Sequence, residues 1–376
     1  MVNKPVLVVE DDVWARLIGV VLDPTTSQER RRAFADFMSP DLPDFAGWCD
    51  KVAKAAGALF PSDVRLVAST PELHDHLASA DAIVTESLSI GAEELALAPH
   101  LKVVHKYGMT LRNIDVAGCE TRGVKILKVR RRANIACAEH AFALMLTLAR
   151  QIDALNGLIS IDQLPPSKRP YKPFDRRHTP GANWGRFPGM RTLNNACIGI
   201  IGLGEIGQEI ALRASAFGMT GFYFQRTRLS AADEERLNVS YRSLESLLAD
   251  SDWVVPQLPL NDSTLNFIDR KRLALMKPGA CIVNVSRAEI IDREALLDAL
   301  RSGHLGGFAL DSLYEEPGRS DDELLSFANV VLTPHMAGSP RTNGLKDIEH
   351  VIAGIAGALV ATRSVDLQTP QQGNPD

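Results

Sequence analysis

Three residues that could handle protons and anions follow three predicted strands in the second half of the chain. Arg287 follows the apolar run CIVNV, Glu316 comes shortly after GFALD, and His335 follows VVLT. Parallel strands present their carboxyl ends at one edge of a sheet, where α/β proteins bind ligands. We therefore expect the three side chains to lie at one sheet edge.

These side chains suit the reversible reduction of a 2-oxo acid by hydride transfer. A histidine can give or take the proton of the C2 oxygen near neutral pH. A carboxylate bonded to its other ring nitrogen would orient the ring and favour the imidazolium form. An arginine can hold the substrate carboxylate in a fork and polarise the keto oxygen.

Each of the three residues also has a simpler interpretation. Arg287 could pair with Asp292 or Glu289 on the surface. Glu316 could be a solvated loop carboxylate, and His335 could be a half-buried histidine whose hydrogen bonds are satisfied. Their common position at successive strand ends favours the catalytic interpretation.

A glycine-rich turn, GLGEIG at 202–207, follows the apolar run CIGII and opens a helical pattern. In a dinucleotide-binding fold the first glycine permits a tight turn, the second lets the pyrophosphate approach the backbone, and the third lets helix and strand pack closely. The helix N-terminus offers N–H groups to the phosphates. A turn that binds nothing is the alternative. The residues expected to contact a dinucleotide here are Gly202, Gly204, Glu205, Ile206 and Gly207.

The strand after this turn indicates which dinucleotide binds. NAD enzymes usually place an acidic residue at its end, about 20 residues past the glycines, to bind the ribose 2′-OH. Here the strand ends in Gln225-Arg226-Thr227-Arg228, which has no carboxylate. An arginine could instead hydrogen-bond a 2′-phosphate. We therefore expect NADP(H), bound near Gln225, Arg226 and Thr227, with NAD(H) as the alternative. Both arginines could also be solvated loop residues.

The apolar runs and helical patterns predict an α/β protein with parallel sheets. Four strand candidates lie in the first part of the chain and six in the second, at 6–9, 64–68, 82–85 and 101–105, and at 197–201, 221–225, 253–258, 281–285, 307–311 and 330–333. Six is the number of strands in a dinucleotide-binding sheet. A long buried helix is expected from Asn134 to Gln151, with Asn134 as its N-cap.

Composition excludes several classes of protein. The 376 residues are enough for two or three domains. The net charge of −5 gives no reason to expect nucleic acid or anionic membrane as a partner. No apolar run approaches the roughly 20 residues of a membrane helix, and the N-terminus is predicted as a strand, not a signal peptide. Five scattered cysteines without a C-x-x-C pair indicate neither disulfides nor a metal site, so we expect a cytoplasmic protein.

In order and spacing, the motifs resemble those of the D-isomer-specific 2-hydroxyacid dehydrogenases over roughly residues 60–360. The similar segments are GIIGLGEIG, LPL at 258–260, MKPGACIVNVSR, GGFALDSLYEEP and LTPHMAG. The resemblance implies two Rossmann-like domains with the active site between them. These would be a flavodoxin-like substrate domain at 1–130 and 338–376 and a dinucleotide-binding domain at 131–337. It also implies a homodimer, with the helix beginning near Asn134 as its dimerisation element.

The resemblance further implies roles for individual residues. Arg287 would bind the substrate, His335 would exchange the proton, and Glu316 would complete the dyad because it directly precedes the proline, as the family's glutamate does. Asp311 and the carbonyl of Val285 would meet the nicotinamide carboxamide. Further contacts are expected with the cofactor from Pro259 and Thr264, and with the 2-oxo or 2-hydroxy acid from Tyr107, Gly108 and Met109.

Some positions depart from the family's pattern. Ala288 follows the arginine where the family usually has glycine. In the substrate loop, usually G-x-G-x-D-N-I-D, Thr110 and Arg112 replace a glycine and an acid. Lys106, Tyr107 and Arg112 are therefore candidates to read an unusual group on the substrate, although an arginine at this position is more often a surface residue.

Two long segments leave a second class of function open. Residues 23–60 and 160–190 exceed the family's usual pattern; the second could be a solvated loop or an arm that wraps a partner subunit. A non-catalytic protein that senses a dinucleotide, similar to the transcriptional corepressors of this family, would fit these additions. The intact set of Arg287, Glu316 and His335 favours the enzyme.

Overall fold

Apolar runs in the first part of the chain form a five-stranded parallel sheet in a computed structural model that describes residues 4–366. Its strands, in chain order, are β1 (Val6–Glu10), β2 (Asp63–Val67), β3 (Ala82–Thr85), β4 (Val103–Lys106) and β5 (Lys125–Lys128). The spatial order β2-β1-β3-β4-β5 is the flavodoxin-like order. The sheet belongs to unit 1, which combines residues 4–134 and 338–366.

The strand β5 has no counterpart among the sequence-based expectations. Its sequence is KILK, and its two lysines are exposed while Ile126 and Leu127 are only half buried. Such a strand pairs on one side only, so it lacks the continuous apolar run of a central parallel strand. The other four strands were expected to within two residues.

Seven helices of unit 1 cover the sheet. They are α1 (Arg16–Leu22), α2 (Gln28–Met38), α3 (Phe45–Ala55), α4 (Thr70–Leu77), α5 (Ala92–Leu97), α6 (Val116–Thr121) and the C-terminal helix Thr342–Asp366. Segment 23–60, expected as surface helix and loop, also supplies core: α3 buries Phe45, Cys49 and Val52. Its N-cap is the Asp44 carboxylate, which accepts a hydrogen bond from the Gly47 N–H.

Unit 2, Ile135–Ala337, contains a parallel sheet of seven strands, not the six expected. The strands are β6 (Cys197–Ile201), β7 (Thr220–Phe224), β8 (Val239–Tyr241), β9 (Trp253–Pro256), β10 (Cys281–Asn284), β11 (Gly307–Leu310) and β12 (Val330–Leu332). In the order β12-β11-β10-β9-β6-β7-β8, the strands from β11 to β8 have the doubly wound dinucleotide-binding order, and β12 is added at one edge. The unexpected strand is β8, whose three residues VSY are too few to show a pattern.

The helices of unit 2 separate these strands along the chain. The long helix α7 (Arg132–Arg150) enters from unit 1, and it begins two residues before Asn134, which therefore lies in the first turn instead of capping it. The other helices are α8 (Ile152–Leu155), α9 (Glu205–Ala216), α10 (Ala231–Leu237), α11 (Leu244–Asp250), α12 (Arg270–Leu275) and α13 (Arg293–Arg301), so the C-terminal helix is α14.

The segment at 160–190 has little regular structure. It contains two single-turn 3-10 helices, Ile161–Gln163 and Pro166–Lys168, and most of its side chains are exposed, although Leu164 is buried. Among residues 4–366, no helix is long and apolar enough to cross a membrane.

Candidate active site

The glycine turn at 202–207 is shaped to admit a ligand at one of its three glycines. Gly202 has a φ of 93°, and a Cβ there would lie 2.4 Å from the carbonyl oxygen of Gln257. A Cβ on Gly207 would lie 2.5 Å from the Gly202 carbonyl oxygen. A Cβ on Gly204, by contrast, would meet no atom within 4 Å. The first and third glycines are thus needed for packing, whereas the second leaves open space beside the backbone.

The open space lies at the N-terminus of α9. Gly204 is the N-cap residue of this 12-residue helix, Glu205 opens it, and Ile206 packs partly buried against the core of unit 2. The first N–H groups of a helix have no partner within the helix. Together with the positive end of the helix dipole, they form a site suited to the pyrophosphate of a dinucleotide.

The end of β7 brings Gln225 onto this turn. Its Oε1 accepts a hydrogen bond from the Leu203 N–H at 3.3 Å, and its Nε2 donates to the Thr227 carbonyl oxygen at 2.6 Å. The side chain therefore ties the glycine turn to the loop after β7. Arg226 and Thr227 follow in this loop, and both are exposed.

The two arginines of this loop differ in their surroundings. Arg228 forms a two-pronged ion pair with Glu234, at 2.8 and 2.9 Å, and the Tyr223 hydroxyl donates to the same carboxylate at 2.7 Å. These contacts hold the pKa of Glu234 at about 2. Since Arg228 is committed to Glu234, Arg226 is the better candidate to meet a 2′-phosphate.

His335 and Glu316 meet beyond the carboxyl ends of β11 and β12. His335 Nδ1 lies 2.9 Å from Glu316 Oε2, and Glu316 Oε1 accepts the Leu313 N–H at 2.9 Å. The hydrogen bond with His335 is the main cause that lowers the pKa of Glu316 below its ordinary value, although burial opposes it. A carboxylate can only accept, so Nδ1 carries the proton and Nε2 is left to face a reactant. Both side chains are partly open to solvent.

His335 is held in an uncommon backbone conformation. Its φ is 50°, in the left-handed region, where residues other than glycine are rare. Its N–H donates to the Asp311 carbonyl oxygen at 2.8 Å and approaches the Thr333 carbonyl oxygen at 3.0 Å. These contacts fix the start of the loop that carries the imidazole.

Asp311 is fully buried at the end of β11, and its carboxylate is well supplied with partners. Oδ1 accepts from the Thr333 hydroxyl at 2.7 Å and the Met336 N–H at 2.9 Å, and Oδ2 accepts from the Ala337 N–H at 2.8 Å. Burial alone raises the pKa of Asp311. The nearby ring of His140, together with the hydrogen bonds that the carboxylate accepts, outweighs burial and lowers the pKa to about 2.

Arg287 lies three residues beyond the end of β10 and is exposed. Its Nη1 donates to the Ser286 carbonyl oxygen at 2.7 Å. The backbone below it is braced by Asn284, whose Nδ2 donates to the Arg287 carbonyl oxygen and whose Oδ1 accepts the Ser286 N–H. Val285, in the same turn, is buried. The guanidinium thus extends from a fixed turn with most of its donors available for an anion.

Pro259 and Thr264 lie in the loop that follows β9. The Thr264 hydroxyl donates to the Pro259 carbonyl oxygen at 2.5 Å, and it accepts the Asn261 N–H at 2.9 Å. Pro259 is exposed and Thr264 is mostly buried. The hydroxyl thus closes this loop on itself, and the exposed surface here is that of Pro259.

In unit 1, the expected substrate loop follows β4. Tyr107 is buried, and burial raises the pKa of its hydroxyl well above the ordinary value. The Arg131 guanidinium carbon lies 5.1 Å from the centre of its ring. Gly108 has a φ of 153° and its carbonyl oxygen accepts the Val129 N–H at 3.2 Å, while Met109 is exposed. The loop therefore offers backbone and the Met109 side chain, and not the Tyr107 hydroxyl, at its surface.

Two charged residues hold the shape of the neighbouring loop, residues 86–88, which follows β3. Lys106 is buried, and its ammonium group donates to the Glu86 carbonyl oxygen and lies 3.3 Å from Asn113 Oδ1. Glu10, at the end of β1, accepts the N–H groups of Glu86, Ser87 and Leu88. Arg112 is exposed. Lys106 is thus a support of the neighbouring loop as well as a candidate to contact substrate.

Sequence reasoning missed His140 and Thr333. His140 Nε2 lies 3.0 Å from Thr333 Oγ1 and 3.4 Å from Asp311 Oδ1. In the sequence, His140 is one of several polar residues of helix α7, directly after Glu139, and nothing in the pattern sets it apart. Thr333 is the last residue of the strand expected at 330–333, and it lies just beyond β12.

Comparison with known proteins gives a consistent result. Residues 142–337 match the family model for the NAD binding domain of the D-isomer specific 2-hydroxyacid dehydrogenases. The chain is 37% identical over 269 residues to a glyoxylate reductase of Pyrococcus furiosus, which covers 71% of this chain and 76% of that one. It is 35% identical over 282 residues to a D-3-phosphoglycerate dehydrogenase of Mycobacterium tuberculosis, covering 74% of this chain and 48% of that longer one.

A solved structure shares the fold. The apo form of D-mandelate dehydrogenase from Rhodotorula graminis matches with a TM-score of 0.55 and 24% identity, covering 94% of this chain and 93% of that one. The family model spans about half of the chain, and the match to the glyoxylate reductase extends well beyond it. This protein therefore belongs to the D-isomer-specific 2-hydroxyacid dehydrogenase family of oxidoreductases.

Proposed function

We propose that this chain interconverts a 2-oxo acid and the D-2-hydroxy acid, with NADP(H) as the preferred cofactor. The observation that carries the proposal is the hydrogen bond of 2.9 Å between His335 Nδ1 and Glu316 Oε2, in a loop fixed by the backbone of Asp311. When bound, the nicotinamide supplies or accepts the hydride at the C2 carbon. The residues of this chain must then bind the acid and move the proton of its C2 oxygen.

We assign the transfer of the proton to and from the C2 oxygen to His335. With Nδ1 bonded to Glu316, Nε2 gives its proton to the C2 oxygen during reduction and takes it back during oxidation. Glu316 stabilises the imidazolium form because opposite charges attract, and the hydrogen bond also fixes the ring orientation.

We assign the binding of the substrate carboxylate to Arg287. A guanidinium can form two parallel hydrogen bonds with a carboxylate, and its charge polarises a neighbouring keto oxygen. Its exposure and its fixed turn support this role. In unit 1, Gly108 and Met109 are proposed to contact the substrate, because Met109 is exposed in the loop after β4.

The cofactor assignment rests on the glycine turn and on the loop after β7. The space beside Gly204 and the start of α9 fit a pyrophosphate. Arg226 supports NADP(H), since this exposed guanidinium follows a strand end that carries no carboxylate. Pro259, Val285 and Asp311 are proposed to border the nicotinamide, and Oδ2 of Asp311, which accepts one N–H, retains capacity for a carboxamide donor.

We further propose a homodimer. Three isoleucines shortly after α7 are exposed, with Ile152 at 52%, Ile159 at 84% and Ile161 at 47%. The three side chains lie within ten residues of one another in the chain, and exposed apolar side chains that form a patch mark contact sites between proteins. The position of these side chains, next to the helix that resembles the family's dimerisation element, supports a contact with a second copy.

The test is a panel of 2-oxo acids assayed by the absorbance of NADPH and, separately, of NADH. Glyoxylate comes first, because glyoxylate reductases are among the relatives, followed by hydroxypyruvate, phosphorylated and aromatic 2-oxo acids. We expect turnover of at least one acid, faster with NADPH than with NADH at equal concentration. Binding of a dinucleotide without turnover of any acid would contradict the proposal and favour a non-catalytic dinucleotide sensor.

A further inference from the structure

His140 begins a chain of hydrogen bonds that ends on Asp311. The Thr333 hydroxyl has a single proton, and at 2.7 Å it donates this proton to Asp311 Oδ1, which as a carboxylate can only accept. At 3.0 Å, His140 Nε2 must then be the donor to the Thr333 oxygen. The order His140 → Thr333 → Asp311 therefore follows from the donors and acceptors present. Such a chain polarises each member and strengthens the next bond.

The other partners of Asp311 belong to the loop that carries His335. The N–H groups of Met336 and Ala337 donate to its carboxylate, and the N–H of His335 donates to its carbonyl oxygen. One buried residue, Asp311, thus accepts hydrogen bonds from three consecutive backbone N–H groups. These contacts sit beside the left-handed residue His335, a conformation that persists only where its surroundings enforce it.

A buried carboxylate needs hydrogen-bond donors at both of its oxygen atoms, because a buried charge without such partners costs much free energy. His140 is the only ring nitrogen near Asp311 Oδ1 in the described part of the chain, at 3.4 Å. It comes from α7, whereas the other partners come from the loop itself. His140 therefore links the position of the loop to the helix that packs beneath it.

We propose that His140 is a positioning residue, which acts through Thr333 and Asp311 to hold His335 in the orientation that proton transfer requires. This inference rests on the proposed function. It assigns His140 no contact with substrate or cofactor. Its role is to keep the Asp311 carboxylate in place so that the loop 335–337 stays folded around it.

Matched substitutions separate the hydrogen bond from the shape of each side chain. Thr333→Val keeps the shape and removes the hydroxyl, whereas Thr333→Ser keeps the hydroxyl. His140→Leu removes the ring donor, whereas His140→Gln places an amide N–H near the position of Nε2. We expect kcat to fall by roughly tenfold or more in the valine and leucine variants, because small displacements of a catalytic group are costly. The serine and glutamine variants should stay within about threefold of the wild type.

Two further readouts exclude a general loss of structure. The Kd of 2′,5′-ADP, measured by calorimetric titration, should change less than threefold, since this fragment lacks the nicotinamide and the glycine turn is untouched. In the unliganded protein, the ring NMR signal of His335, assigned with His335→Gln, should move in Thr333→Val and stay in Thr333→Ser. The comparison of Thr333→Val with Thr333→Ser tests the proposal even if His140→Leu does not fold.

The outcomes distinguish this inference from the proposed function. An active wild type with unchanged kcat and an unchanged His335 signal in Thr333→Val would overturn the positioning role alone. Equal losses in the valine and serine variants would also overturn it, since the hydroxyl would then be irrelevant. A wild type that turns over no acid in the panel would overturn both.

Discussion

The side chains of the candidate site are divided between those that could react and those that hold them. His335 and Arg287 present exposed nitrogen atoms, and Glu316 orients the first of these. Asp311 is buried and its carboxylate bonds the loop behind His335. The carboxylates that position His335 accept hydrogen bonds from backbone N–H groups, which hold them in place. The nitrogen that faces the ligand therefore needs no such contact and can stay exposed.

Arg226 offers a test of cofactor choice at a single residue. We expect Arg226→Ala to raise the KM for NADPH by roughly ten- to a hundredfold and to leave the KM for NADH nearly unchanged. The reason is that hydrogen bonds to a charged group contribute about 1.5–3 kcal/mol. Steady-state kinetics with both cofactors, at a saturating concentration of the 2-oxo acid, measure the effect.

Arg228 is the matched control for this variant. Its guanidinium is held by Glu234, so Arg228→Ala should leave the ratio of the two KM values close to that of the wild type. A shift of the ratio in Arg228→Ala but not in Arg226→Ala would show that the ion pair with Glu234 opens to bind the phosphate. Equal KM values for NADPH in wild type and Arg226→Ala would remove the basis for preferring NADP(H).

The contact between Glu316 and His335 could be predicted from the sequence, whereas the contacts of His140 and Thr333 with Asp311 could not. Arg287, Glu316 and His335 each follow a recognisable strand, and the carboxyl ends of parallel strands share an edge. His140 precedes Asp311 by 171 positions and lies in a helix, where a single histidine is compatible with many surroundings. Its contact with Thr333 depends on how α7 packs on the sheet, and no local sequence pattern predicts that packing.

At the scale of elements, the turn between β6 and α9 assigns different tasks to its glycines. Gly207 allows the helix to approach the Gly202 carbonyl oxygen, and Gly204 leaves the helix N-terminus open. Gly204 has a φ of −71°, which any residue can adopt. The glycine is therefore not required there by the backbone of the unliganded protein.

A pair of valine substitutions tests this division. Gly204→Val should change the free energy of unfolding by less than about 1 kcal/mol, the usual scale of a change at an N-cap, yet abolish dinucleotide binding because the side chain fills the space beside the backbone. Gly207→Val should destabilise the chain by about 1–3 kcal/mol through overpacking. Urea unfolding and a fluorescence titration with NADPH measure the two effects. Wild-type affinity in Gly204→Val would place the pyrophosphate elsewhere.

The elements that sequence reasoning found are those with a long apolar run. Strands buried on both faces, such as CIGII and CIVNV, are continuous in apolar residues, which parallel sheets require. The edge strands β5 and β8 have KILK and VSY, in which too few residues are apolar to signal a strand. The sequence patterns predict no strand order, because strand order depends on contacts between residues far apart in the chain; only the type of each fold is implied by the family resemblance.

At the scale of the whole molecule, each unit has a hydrophobic core of its own. In unit 1, α14 contributes Ile348, Val351 and Ile355 to the core that the first strands build, which is why the C-terminal segment returns to this unit. In unit 2, Met145 of α7 packs with the central strands. The expected substrate loop belongs to the first unit, and the glycine turn and the His335–Glu316 pair belong to the second.

The measurement that tests the central claim most directly is the turnover of His335→Ala and Glu316→Gln with the best acid of the panel. We expect kcat to fall by roughly a hundredfold or more in His335→Ala, the usual contribution of a general acid, and by a smaller factor in Glu316→Gln. Glu315→Gln, which alters the exposed neighbouring carboxylate, should match the wild type. All three should bind NADPH as the wild type does. A His335→Ala variant that turns over the acid at the wild-type rate would contradict the account.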